Sequence, residues 1–106
     1  MTDKVRISSQ EQIIIKSVFA KYFAKSDHLW VFGSRADLER RGGDLDFYIE
    51  TTETDILVSE EKKTKFINEL LEKIGDQKID VVLHRIADPY SLPIYAIAKN
   101  TGVKLV

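Results

Sequence analysis

The sequence predicts an α/β fold: a small, mixed, twisted sheet with helices packed on one face and a pair of aspartates on the open face. Two observations point there. Segments whose apolar residues recur at helical spacing alternate with short runs rich in aromatic and β-branched residues, and glycine, proline or polar clusters separate them. The 106 residues, 43% hydrophobic and 31% charged, suffice for one domain, 1–106, whose core needs no staple.

The first helix is expected over 8–25, SSQEQIIIKSVFAKYFAK. Ser8 stands three before Glu11, the spacing at which each side chain satisfies the other's backbone N–H, and Ile14, Val18 and Tyr22 follow at helical intervals. Ile13, Ile14 and Ile15 fan over about 200° of the helix surface, so at least one is expected to be exposed. LWVFG, 29–33, is a continuous apolar run stopped by glycine, as in a buried strand, and Trp30 reads as core. LDFYIE, 45–50, alternates and forms a second strand. From Ser59 to Ile74, Glu60 and Glu61 suit a helix start, Phe66, Ile67, Leu70, Leu71 and Ile74 make its apolar face, and Gly75 ends it. KIDVVLH, 78–84, is a third strand. Pro89 and Pro93 bracket a turn before a short helix in IYAIAKN, and GVKLV adds a small terminal strand.

Composition removes several classes of function. A formal charge of -1 and a pI near 6.1 leave no basic surface to neutralise phosphates, so nucleic-acid binding is not expected. With no cysteine there is no disulfide and no thiolate zinc site, and any metal ligand is oxygen or histidine. The opening MTDKVRISSQ lacks the apolar core of a signal peptide, and no stretch approaches the ~20 apolar residues of a membrane span, so a cytoplasmic protein is expected.

The chemistry concentrates in VFGSRADLERRGGDLDFYIE, residues 31–50. On a strand, residues two apart share a face, so Asp44 and Asp46 project together while Leu45, Phe47 and Ile49 pack on the other side. The third strand repeats the pattern, with Ile79, Val81 and Leu83 apolar and Asp80 on the acidic face. Three converging carboxylates repel one another unless a hard cation neutralises them, and magnesium with oxygen ligands and substrate phosphate meets that need. Gly33 lets the backbone approach a ligand closely, Ser34 at the start of a short helical turn offers amide donors to an anion, and Arg35 adds a fixed positive charge. Two other motifs fail. A calcium loop starting at Asp44 would place Ile49 where glycine is required, and no Gly-Lys-Ser/Thr follows Gly33 to make a P-loop. His84 reads as an ordinary, partly exposed histidine.

FGSRADLERRGGDLDF, together with Asp80, resembles the signature of the polymerase-beta-like nucleotidyltransferase superfamily. There Gly-Ser is followed, after a short helix, by Asp-x-Asp and by a third aspartate on a later strand. Gly33, Ser34, Asp44, Asp46 and Asp80 match those positions, and Gly43 stands where a serine often precedes the first aspartate. The short chain, covered almost throughout, is similar to the minimal nucleotidyltransferases paired with HEPN toxins in bacterial and archaeal toxin-antitoxin modules. The resemblance implies that family's fold and the transfer of AMP from ATP to a tyrosine hydroxyl of a HEPN toxin. It further implies Mg2+ held by the catalytic Asp44, Asp46 and Asp80, and nucleotide held by Gly33, Ser34 and Arg35. Two rivals stand beside it. One is an antitoxin that neutralises its partner by occlusion; the other is a subunit of a small-molecule nucleotidyltransferase of the antibiotic-modifying kind, whose usual added helical domain has no counterpart here. Assembly into an oligomer is open in all three.

Overall fold

A computed structural model describes residues 7–33, 44–75 and 77–106. Among them the elements run α1 (Ser9–Tyr22), β1 (His28–Phe32), β2 (Leu45–Thr51), α2 (Ile56–Ile74), β3 (Ile79–Arg85), α3 (Pro93–Thr101) and β4 (Val103–Lys104). The strands form one mixed sheet in the order β3-β2-β1-β4. β1 is antiparallel to both its neighbours, and β2 and β3, joined through α2, are parallel.

Local chemistry sets the element ends. Ser8 Oγ accepts from the Glu11 N–H at 3.1 Å and Glu11 Oε1 accepts from the Ser8 N–H at 3.1 Å, closing the capping box that the sequence announces. α2 begins three residues before the expected Ser59, because Asp55 caps it by accepting from the Val58 N–H at 3.1 Å. Its first turn, Ile56, Leu57 and Val58, is apolar yet exposed, so apolar spacing alone does not reveal it. Gly75 ends α2 with φ at +89°, the left-handed region open to glycine. α1 stops at Tyr22, short of the expected residue 25.

α1 and α2 cover one face of the sheet. Ile15, Val18, Phe19, Phe66 and Leu70 from the helices meet Leu29, Val31, Leu45, Phe47 and Ile49 from β1 and β2, and all ten are buried. Phe66 presents ring edges and faces to Phe19, Phe23 and Phe47 with centroids 5.5 to 6.1 Å apart. Of the three isoleucines, Ile15 is buried, Ile14 half-buried and Ile13 exposed.

The expectation of helices on one face holds for α1 and α2 only. α3 lies on the other face, where Tyr95 and Ala98 pack on Trp30 and Tyr48 in a second buried cluster. The physical reason is that the alternate residues of β1 and β2 on that face include two large aromatic rings, which need cover as much as the aliphatic face does. The loop before β1 is tied down by a buried carboxylate. Asp27 accepts from Ala24 N–H and Thr51 Oγ1 on one oxygen and from Thr52 N–H and Thr52 Oγ1 on the other, at 2.9 to 3.1 Å. Among the described residues no helix is long and apolar enough to cross a membrane.

Candidate functional site

Strand register brings the predicted carboxylates to one end of the sheet. Asp46, second residue of β2, pairs with Phe32 at the end of β1 on one side and with Asp80, second residue of β3, on the other. Like-facing neighbours in adjacent strands share a face, so the Asp46 and Asp80 side chains lie abreast, with Asp46 half-buried and Asp80 exposed. Asp44 immediately precedes β2, and its Oδ2 is 3.5 Å from Lys78 Nζ.

Gly33 follows β1 with φ at +73°. A Cβ built there would run into Asp46 Oδ2, so glycine is what allows the chain to pass the carboxylate. Gly33, Asp44, Asp46 and Asp80 therefore come together at the ends of three adjacent strands. Ser34 and Arg35 lie outside the described residues, as does the stretch to residue 43.

The electrostatics are those of a site short of positive charge. Burial raises the Asp46 carboxyl above its ordinary 3.8, and the Asp80 and Asp44 carboxylates raise it further, while Lys78 works in the opposite direction. All three acids offer oxygen alone, which matches a hard cation such as magnesium. They do not converge fully: among the described residues no group of three or more His, Asp or Glu is arranged to enclose a metal ion. Lys78, the cation beside Asp44, escaped the sequence reading because a lone lysine before a strand carries no pattern.

A second polar cluster lies further along the same sheet face. Tyr48 donates its hydroxyl proton to Glu50 Oε2 at 2.8 Å, and His84 Nδ1 lies 2.8 Å from the Tyr48 hydroxyl oxygen. That proton is already spent, so His84 Nδ1 is the donor in the second bond. Lys99 of α3 completes the chain at 3.0 Å from Glu50 Oε2, and the His84 ring stacks on Tyr95 with centroids 3.9 Å apart. Burial, then the Glu50 contact, pushes the Tyr48 phenol well above its ordinary range. Burial works to raise Glu50 as well, but the bonds from Tyr48 and Lys99 outweigh it and hold the carboxyl below 4.5. This cluster clasps α3 to the sheet, and His84 serves it rather than the carboxylate site.

Two cavities lie away from the aspartates. One, of about 370 Å³, is lined by Lys21, Tyr22, Val58, Glu61, Lys62 and Lys65; the other, of about 280 Å³, is lined mainly by apolar residues around Phe19 and Phe23. The lysines of the larger already pair with Glu69, Glu53 and Glu61 at 2.7 to 3.6 Å, so it offers an anion little uncommitted charge. Compared with known protein families and with curated proteins, the chain matches none.

Proposed function

We propose that the chain is a metal-dependent nucleotidyltransferase that moves AMP from ATP to a protein hydroxyl, acting in the cytoplasm as the antitoxin of a HEPN-type toxin. The observation that carries this reading is the side-by-side placement of Asp46 and Asp80, with Gly33 against the Asp46 carboxylate. Repelling acids held at a strand end beside a glycine serve stability poorly and serve a cation and a triphosphate well.

In this reading Asp44, Asp46 and Asp80 hold magnesium, which when bound polarises the α-phosphate and offsets the charge of the departing phosphates. Gly33 gives the triphosphate close access to backbone. Asp80, the exposed member on the outer strand, faces the incoming acceptor and takes up the proton of its hydroxyl. The hydroxyl oxygen bonds to the α-phosphorus, the bond to the β-phosphate oxygen breaks, pyrophosphate leaves and AMP stays on the acceptor tyrosine.

The test is the intact mass of the partner toxin after incubation with the chain, ATP and magnesium. A gain of one AMP or more that is lost in Asp80→Asn supports transfer. The occlusion reading draws on the exposed Ile56 and Leu57 at the start of α2, 58% and 80% exposed, which suit a protein-binding surface. Neutralisation without any gain in mass, retained in Asp80→Asn, selects occlusion and ends the transfer reading.

A further inference from the structure

Strand register lays the open face of the sheet out in rows. Asp46 stands between Phe32 and Asp80; two residues further along β2, Tyr48 stands between Trp30 and Val82, and two further still, Glu50 stands between His28 and His84. α3 crosses these rows obliquely. Near its start the Tyr95 ring stacks on His84 with centroids 3.9 Å apart, whereas just past its end a Cβ on Gly102 would come 3.1 Å from Phe32 Cβ. Lys99 reaches Glu50 Oε2 at 3.0 Å and lies over the Trp30 ring, so the flank that carries it faces the Glu50 row. Ile94, Ile97 and Thr101 stand about 140–200° round the helix from Lys99 and make the opposite flank, toward Asp46 and Asp80. The Thr101 hydroxyl is spent on the Ile97 carbonyl at 2.6 Å, which leaves that flank apolar.

A notch therefore opens between α3 and the two acids, floored by Phe32 and Val82 and walled by Ile94 and Ile97. Phe32, Val82 and Ile94 pack on the second buried cluster yet stay half-exposed, and Ile97 is 53% exposed. We infer that this notch seats the base of the nucleotide, with the flat ring against Phe32 and the isoleucine wall. The layout fits that occupant. Phe32 directly precedes Gly33, and it stands one strand spacing from Asp46, while Val82 stands two residues beyond Asp80, distances of about 5 and 7 Å. A nucleotide has the same plan, since a ribose of about that span separates its α-phosphate from an apolar ring. An apolar seat gains from the faces of the ring and reads no hydrogen-bonding edge, so it takes adenine and guanine nearly alike. The seat rests on the nucleotidyltransferase reading and adds to it the place and the chemistry of the base.

Calorimetric titration of the full chain in magnesium, with ATP, GTP and inorganic triphosphate in turn, separates the base from the phosphates. ATP is expected to bind about tenfold more tightly than inorganic triphosphate, with GTP within about threefold of ATP. Ile97→Asn, at an exposed position, should leave the melting temperature without ligand and the triphosphate affinity unchanged but weaken ATP about fivefold. Phe32→Leu, which keeps apolar bulk and loses the flat ring, should do the same to the two affinities, while Ile13→Asn, on the exposed side of α1, should change none of them. Inorganic triphosphate that binds as tightly as ATP overturns the seat and leaves the transfer reading standing. So does a preference for ATP that survives both Ile97→Asn and Phe32→Leu, or a GTP affinity tenfold or more below that of ATP, which requires a polar edge reader. Binding of none of the three removes the transfer reading and the seat together.

Discussion

Gly33 and Asp46 share one space: the glycine sits at φ +73°, and a single methyl group on it would collide with Asp46 Oδ2. The turn out of β1 and the carboxylate of β2 are thus fixed together, and a change in one is felt by the other. Gly33→Ala meets both a left-handed backbone and this clash, and the expected loss is about 1–3 kcal/mol. Thermal unfolding of the wild type, Gly33→Ala, Asp46→Ala and the double variant separates the two terms. A contact between the residues makes Gly33→Ala less costly when Asp46 is already alanine; an equal cost in both backgrounds assigns the whole effect to backbone strain.

Much of this arrangement is legible in the sequence, and the exceptions have physical causes. The Ser8 and Glu11 spacing, the alternation in LDFYIE and the glycine after Ile74 are local signals, read within a few residues, and the start of α1, the strand β2 and the end of α2 fall where these signals announce them. The pairing of Asp46 with Asp80 follows once the two strands are neighbours, since parity along each strand fixes the face. The position of α3 is different, because Tyr95 and Ala98 find Trp30 and Tyr48 only through the fold. The roles of Asp27 and His84 depend on partners 24 or more residues away in sequence, and neither residue type advertises such a role by its neighbours.

Asp27 tests how much the loop before β1 relies on one buried carboxylate. Its two oxygens take four hydrogen bonds, one from the buried Thr51 hydroxyl. Asp27→Ala strands those donors and is expected to cost about 2–4 kcal/mol, or on the order of 4–8 °C of melting temperature per kcal/mol. Asp27→Asn should be nearly as damaging, because its amide N–H groups point at groups that themselves donate. A change within 0.5 kcal/mol in either variant, by denaturant unfolding, would show that water replaces the carboxylate at about no cost.

The Glu50 cluster predicts a stability term that depends on pH. With its carboxyl held below 4.5 by Tyr48 and Lys99, Glu50 binds a proton less readily folded than unfolded. Its contribution is complete above 4.5 and fades as pH falls through the lower folded value. Glu50→Gln should therefore lower stability at neutral pH by about 1–2 kcal/mol, and the gap from wild type should narrow in acid. Melting curves of both proteins across the acid range check the sign; a gap that stays constant or widens as the pH falls contradicts it.

The last prediction sets stability against function at Asp46. Its carboxyl is raised by burial and by Asp80 and Asp44, so the folded chain binds this proton more readily than the unfolded chain. Stability from this group is then lost as the pH rises above 3.8, and at neutral pH the ionised side chain is a full cost. Asp46→Asn keeps the shape and removes the charge, and without ligand it should melt above wild type. Magnesium with ATP should reverse the order. A ligand that binds the folded state alone raises the wild-type melting temperature by mass action, whereas Asp46→Asn, with one oxygen ligand weakened, gains little, and chelation of the metal returns wild type to its starting value. If Asp46→Asn melts below wild type without ligand, mutual repulsion does not govern these acids. If it gains as much as wild type from magnesium and ATP, Asp46 does not hold the cation, and the transfer reading loses the residue on which its geometry rests.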